Sequence, residues 1–163
     1  MLAEDAIGRE ESSEQRADYW VWTQLWKLRV PNKIKIFGWQ ACLNILPSKV
    51  NLARWKILTD DRCGVCQRYS ETVIHALWEC STAQDVWAGS SARIQKCGGE
   101  MDEFLHLFQF MMSKLSLEEF ETFLVQCWLI WHRRNAPLHG GEMQHTGQLN
   151  QRATDFLREY RDA

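Results

Sequence analysis

A stretch of eighteen residues in the first half of the chain constrains the fold more than any other feature. It carries the pattern Cys-x2-Cys-x8-His-x4-Cys, formed by Cys63, Cys66, His75 and Cys80. Three thiolates and one imidazole complete the tetrahedral shell that zinc prefers, and they leave no position open for a reacting water molecule. The sequence therefore predicts one structural zinc ion, bound by these four residues, at the centre of a small domain.

Other interpretations of this pattern fit the residues less well. Free thiols and a surface histidine that fall together by chance are a poor explanation of a paired Cys-x2-Cys. A disulfide framework is disfavoured because the sequence shows no secretory signal, and disulfides are rare in reducing compartments. A thioredoxin-like redox role for Cys63 and Cys66 lacks the surrounding βαβ pattern.

The second pair of ligands is predicted to come from a short helix. Ser70 is its predicted N-cap, and Glu71 favours the first turn because it is acidic. Cys80 is expected to close the metal shell just after this helix ends. A capping-box pattern at Ser81 and Gln84 predicts that a new helix begins there.

Charge is distributed unevenly along the chain, although the net charge is only −2. Residues 1–18 carry a net charge of −4 without hydrophobic periodicity, which predicts a disordered acidic tail. Residues 20–62 carry a net charge of +6. No apolar run approaches the roughly 18 residues of a membrane span, and no signal peptide is evident. These features predict an intracellular protein that makes no membrane contact, without a choice between nucleus and cytoplasm.

Hydrophobic periodicity predicts a mostly α fold, in which a small helical zinc-stapled unit precedes a helical C-terminal unit. Apolar positions at helical spacing predict helices near 19–28, 50–55, 102–115, 117–134 and 149–160. Ser116 and Glu119 match a capping box for the fourth of these helices, whose predicted buried stripe begins at Leu117. Lys33–Phe37 is ambiguous, because its alternation fits a half-buried strand, whereas Pro31 fits the first turn of a helix.

Residues on both sides of the metal motif carry a resemblance to a known family. They are Trp22, Leu25 to Pro31, Lys33 to Phe37, Trp39, Leu46, Pro47, Leu52 to Arg54, Cys63, Cys66, Glu71, Thr72, His75, Cys80, Val86 and Trp87. In this order and spacing they resemble the zinc-binding domain that follows the polymerase in plant non-LTR retrotransposon reverse transcriptases. The later run from Cys127 to Asn135 resembles the helical segment that joins this domain to a ribonuclease H domain.

The resemblance implies zinc at the same four ligands and a helix at Lys33–Phe37. It divides the chain into an acidic tail (1–18), a reverse-transcriptase-type zinc-binding domain (19–90), a linker (91–101) and a helical C-terminal segment (102–163). The polymerase signature Tyr-x-Asp-Asp and the ribonuclease H carboxylates are absent from the sequence. We therefore expect no enzymatic activity and no small-molecule substrate. Polymerase or ribonuclease H domains of a parent polyprotein are the partners that the family implies.

Two functions are compatible with the sequence, and a non-functional retroelement fragment is a third outcome. The first is RNA or DNA binding by a basic stretch made up of Lys27, Arg29, Lys33, Lys35, Lys49, Arg54, Lys56 and Arg62. The cations would neutralise phosphates, and tryptophans interleaved with them would stack on unpaired bases if they are exposed. The helical spacing of these tryptophans favours core positions instead. The second is protein interaction through the apolar C-terminal residues Phe104, Phe108, Phe110, Met111, Met112, Trp128 and Trp131.

Overall fold

The computed structural model describes residues 16, 18–97, 99–136 and 145–163, so Arg16 and Asp18 are the described part of the predicted acidic tail. The helices, in chain order, are α1 (18–27), α2 (Asn32–Cys42), α3 (Lys49–Arg54), α4 (Ser81–Ala88), α5 (Ala92–Gln95), α6 (Phe104–Lys114), α7 (Leu117–Asn135) and α8 (Thr146–Asp162). A π-helical turn, His75–Glu79, lies between α3 and α4. Among the described residues, β-structure is limited to one antiparallel bridge between Arg62 and Ser70. The predicted mostly α class is confirmed.

The ambiguous segment Lys33–Phe37 is helical, and the strand interpretation is wrong. Pro31 occupies the N-cap of α2, where its missing N–H costs nothing. Ile34, Phe37 and Ala41 then repeat at helical spacing and are buried, whereas Ile36 is exposed. The apparent alternation came from Ile34 and Ile36, which lie on different faces of the helix.

Helix α7 is the centre of the molecule. It packs against α2, α6, α8 and the π-helical turn. Most of its residues from Phe120 to Trp131 are buried, which is the pattern of a helix enclosed by others and not of a surface helix with one apolar stripe. Gly38 of α2 allows close approach, because a Cβ added there would lie 3.0 Å from Cδ1 of Leu124 on α7.

At the start of α7, the predicted capping box is present, but the first apolar residue is not buried as predicted. Ser116 Oγ accepts from the Glu119 backbone N–H, and the Glu119 carboxylate accepts from the Ser116 N–H, so the predicted capping box is confirmed. Leu117, which was assigned to the buried stripe, is instead 57% exposed. The first turn of the helix projects beyond the core, so its apolar residue finds no neighbour to cover it.

The C-terminal helices and the zinc unit share one core. The Trp87 ring of α4 lies 5.2 Å, between ring centroids, from the Phe123 ring of α7. Ile94 of α5, within the predicted linker 91–101, is also buried. The apolar residues considered for protein contact are largely part of this core, since Phe104, Phe108, Met111 and Trp131 are all buried and the other three are partly buried. No helix in the described part of the chain is long and apolar enough to cross a membrane.

Candidate metal centre

The four predicted ligands converge on one point. One ligand atom from each of Cys63, Cys66, His75 and Cys80 lies within 4.8 Å of the other three. Cys63 Sγ and Cys80 Sγ are 3.9 Å apart, and Cys66 Sγ is 3.5 Å from His75 Nε2. Cys63, His75 and Cys80 are buried, and Cys66 is partly exposed at the rim.

These distances fit a tetrahedral zinc site. Bonds of about 2.3 Å to sulfur and about 2.0–2.1 Å to nitrogen place two sulfurs about 3.8 Å apart, and sulfur and nitrogen about 3.6 Å apart. The distances in this chain agree with both values. Three cysteines and one histidine form a tetrahedral-type site that fits one zinc ion and leaves no position for substrate, which is the arrangement of a structural zinc site.

The loop that carries the first two cysteines is closed by backbone hydrogen bonds. The Cys63 N–H donates to the Tyr69 carbonyl at 2.8 Å, and the Gln67 N–H donates to the Cys63 carbonyl at 2.9 Å. Gln67 adopts a φ of 57°, in the left-handed region, which reverses the chain just after Cys66. The Arg62–Ser70 bridge fixes the base of this loop, so both sulfurs point to the same side.

The other two ligands lie at the two ends of the π-helical turn, with His75 as its first residue and Cys80 directly after its last. The Cys80 N–H donates to the His75 carbonyl at 2.8 Å, a bond that spans five residues instead of the four of an α-helix. Thr72, and not Ser70, caps the segment, because its Oγ1 accepts from the His75 N–H at 3.0 Å. The predicted Ser81–Gln84 capping box is also wrong, since the Gln84 side chain donates to the Trp78 carbonyl, but the helix predicted to begin there is confirmed, because α4 starts at Ser81.

Two charged residues complete the surroundings of the metal site, and sequence reasoning missed the role of both. Glu71 is buried, and its Oε1 accepts from the Lys49 N–H at the start of α3 at 3.2 Å. Its Oε2 accepts from Nε and Nη2 of Arg134 on α7 at 3.2 and 3.0 Å. Nη2 of Arg134 also donates to Cys63 Sγ. Glu71 was predicted to lie in the first turn of a helix, and Arg134, near the end of α7, would by its position suit the C-terminal end of that helix's dipole.

The electrostatic environment of the site favours the neutral form of His75 and the thiolate form of Cys80. Burial lowers the pKa of His75, and the nearby Arg134 charge lowers it further, so the imidazole stays neutral. Burial raises the pKa of Cys80, but the nearby Arg134 guanidinium and hydrogen bonds from Thr82 outweigh that effect and lower the pKa to about 7. Burial keeps the pKa of Cys63 raised. Neutral imidazole and accessible thiolate are the forms that zinc binds.

The eight basic residues proposed for phosphate contact do not share one environment. Lys27, Arg29, Lys33, Arg54, Lys56 and Arg62 are exposed, and Lys35 and Lys49 are half-buried. The Lys33 ammonium lies 4.9 Å from the Trp128 ring centroid and 5.5 Å from that of Phe156, so it packs on the C-terminal helices. Lys35 Nζ donates to the Trp26 carbonyl at 2.9 Å. Within the described residues, the other cations of this set form no ion pair.

Three tryptophans of the basic stretch are on the surface, against the core positions that their spacing favoured. Trp26, Trp39 and Trp55 are 48, 37 and 43% exposed. Lys35 and Trp39 are four residues apart on α2 and so lie on one face, beside Trp26. Asn51 of α3 donates to the Asn44 carbonyl after α2 at 2.9 Å, which connects α3 to the segment that follows α2.

The first half of the chain matches one family model. Residues 9–87 match the family described as zinc-binding in reverse transcriptase. The matched segment contains all four cluster residues and ends at Trp87, so Arg134 lies outside it. No curated protein and no solved structure matches the chain.

Proposed function

We propose that this protein, whose residues 9–87 match the family described as zinc-binding in reverse transcriptase, is a retroelement-derived accessory module that binds single-stranded RNA or DNA. In this proposal the zinc ion is structural and holds the surface in shape. The module catalyses nothing itself. Its origin in a plant retroelement, and polymerase or ribonuclease H domains as neighbours in a polyprotein, remain predictions from the resemblance.

The exposed tryptophans carry the proposal. Exposed apolar side chains that lie together on one surface are typical of a binding site, whereas exposed apolar residues scattered singly are not. Trp26 and Trp39 lie beside Lys35, and Trp55 lies between Arg54 and Lys56 in the sequence. Base stacking on an aromatic ring with a cation alongside is how proteins bind unpaired nucleotides without sequence preference.

Fluorescence anisotropy of a labelled single-stranded oligothymidine, titrated with the zinc-loaded full chain, tests the proposal. Trp39→Ala should weaken binding by about 1–3 kcal/mol, the value of one stacked base. Lys56→Gln should reduce the slope of log K against log salt by about 0.7, because one phosphate contact is lost. Matched controls are Tyr160→Ala, an exposed aromatic on α8, and Lys96→Gln, an exposed lysine after α5; neither should change affinity.

The outcomes separate the candidate functions. Absence of binding at about 50 mM salt, where electrostatic contacts are strong, would reject nucleic-acid binding. Equal effects of the tryptophan variant and its Tyr160 control would reject the proposed surface. Self-association in analytical ultracentrifugation that Trp39→Ala abolishes, without nucleic-acid binding, would instead assign the surface to protein contact.

A further inference from the structure

Arg134 connects the C-terminal helix α7 to the metal centre, although it lies outside the matched family segment. Its side chain is buried, with 5% of its surface exposed. It forms two hydrogen bonds to Glu71 and one to Cys63 Sγ. Its third nitrogen, Nη1, is buried without a hydrogen-bond partner among the described residues. A buried guanidinium with one unsatisfied nitrogen needs a negative environment in addition to its single carboxylate partner.

The metal centre supplies that environment. Three thiolates around one Zn²⁺ leave an excess of one negative charge, in a site where Cys63, His75 and Cys80 are all buried. A buried anion is costly unless a cation or hydrogen-bond donors offset it. Hydrogen bonds from a charged donor to an anion are about twice as strong as those between neutral groups. Arg134 provides both the charge and the donor at Cys63.

Glu71 fixes the orientation of Arg134. Its Oε1 is occupied by the Lys49 N–H of α3, so Oε2 is left for the guanidinium. The backbone of Glu71 is also fixed, because its N–H donates to the Asp61 carbonyl and its carbonyl accepts from the Val50 N–H. The carboxylate therefore directs Nη2 of Arg134 at the Cys63 sulfur.

We propose that Arg134 is a positioning residue of the zinc site, which stabilises the thiolate cluster and makes α7 part of the metal centre. The proposal rests on the metal cluster and is independent of nucleic-acid binding. It implies that the matched segment 9–87 lacks one component of its own metal site.

The test uses the zinc-loaded full chain and the variant Arg134→Met, with Arg161→Met as the matched control. Arg161 forms a similar ion pair at 3.0 Å with Glu121, a buried carboxylate of the same helix, but does not touch the metal site. Zinc affinity is measured by competition with a colorimetric chelator. Zinc release is then followed during treatment with iodoacetamide, which alkylates sulfur with loss of iodide. The free energy of unfolding is measured for each variant by urea titration.

We expect Arg134→Met to weaken zinc binding by about 10–100-fold, the usual effect of losing a residue that supports a metal ligand. Alkylation should release its zinc several-fold faster, because the sulfur is no longer protected by a charged donor. Arg161→Met should lose unfolding free energy without either change. Wild-type affinity and wild-type alkylation rate in Arg134→Met would overturn the proposal, as would equal losses in the two variants.

A second pair of variants keeps the test decisive if Arg134→Met does not fold. Arg134→Lys retains the charge, whereas Arg134→Gln retains a donor without the charge. The lysine variant should hold zinc more tightly and react more slowly with iodoacetamide than the glutamine variant. If the two variants are indistinguishable in both measurements, the charge of Arg134 has no role at the metal site and the proposal is wrong.

Discussion

Phe123 joins the zinc unit to the C-terminal helices, so Phe123→Ala tests whether the two halves of the chain share one core. Its ring is fully buried on α7, and lies 5.2 Å from the Trp87 ring and 6.0 Å from the Phe120 ring, between centroids. Trp87 in turn donates from Nε1 to the Leu77 carbonyl of the π-helical turn at 2.9 Å. The ring therefore packs on the same elements that hold the metal ligand His75.

The size of the effect follows from this burial. Truncating a buried phenylalanine to alanine costs about 3–5 kcal/mol through lost transfer energy and the cavity left behind. For a chain of this length, each kcal/mol lowers Tm by about 2–4 °C. The variant should therefore melt about 6–20 °C below the wild type. Leu117→Ala on the same helix is the control, because Leu117 is 57% exposed and should change stability by less than about 0.5 kcal/mol.

Thermal unfolding of the zinc-loaded chain, followed by circular dichroism and by tryptophan fluorescence, measures the effect. A shared core requires the two probes to report one coincident transition. Two separated transitions in the wild type would show that the halves unfold independently. A Tm for Phe123→Ala no lower than that for Leu117→Ala would equally refute the packing argument.

Two further predictions concern the metal ligands. His75→Ala should lose stoichiometric zinc in elemental analysis, together with several kcal/mol of apparent stability, because metal binding contributes directly to folding. Cys97→Ser, outside the cluster, should keep one zinc per chain, and retention of zinc by the His75 variant would contradict the assigned ligand set. In the zinc-free chain, Cys80 should titrate near its lowered pKa of about 7, detected by thiolate absorbance. Its contribution to stability, complete above its ordinary pKa of 9.0, should disappear as the pH falls through about 7. A stability difference between wild type and Cys80→Ser that does not vary over this range would count against the prediction.

The metal ligands were predictable because the information that specifies them is local. Cys63 to Cys80 covers one short stretch, and zinc accepts few combinations of residue type and spacing. The long helices were predictable for a similar reason, since capping residues and apolar spacing both act within a few turns. The Ser116–Glu119 capping box is the clearest case.

The parts that sequence reasoning missed depend on contacts between distant residues. Glu71 and Arg134 are 63 residues apart, and each has a plausible local role that hides its actual partner. Trp26 and Trp39 each lie at helical spacing from apolar neighbours in their own helix. That spacing does not show that no other element covers them in the folded chain. The alternation of Ile34 and Ile36 fits a strand as well as a helix. Pro31 decides for the helix only when the whole segment from Asn32 to Cys42, which it caps, is considered.

The π-helical turn has a consequence for how this motif can vary between relatives. His75 and Cys80 are five residues apart, and the wide turn absorbs the extra residue that an α-helix could not accommodate on one face. A single deletion between them would leave a His-x3-Cys spacing, in which an ordinary α-turn presents both side chains to the same side. Natural relatives with either spacing are therefore expected to keep the zinc ion, whereas a change of two residues should abolish the site. By this geometry, one residue can be added or removed between His75 and Cys80 without loss of the metal site.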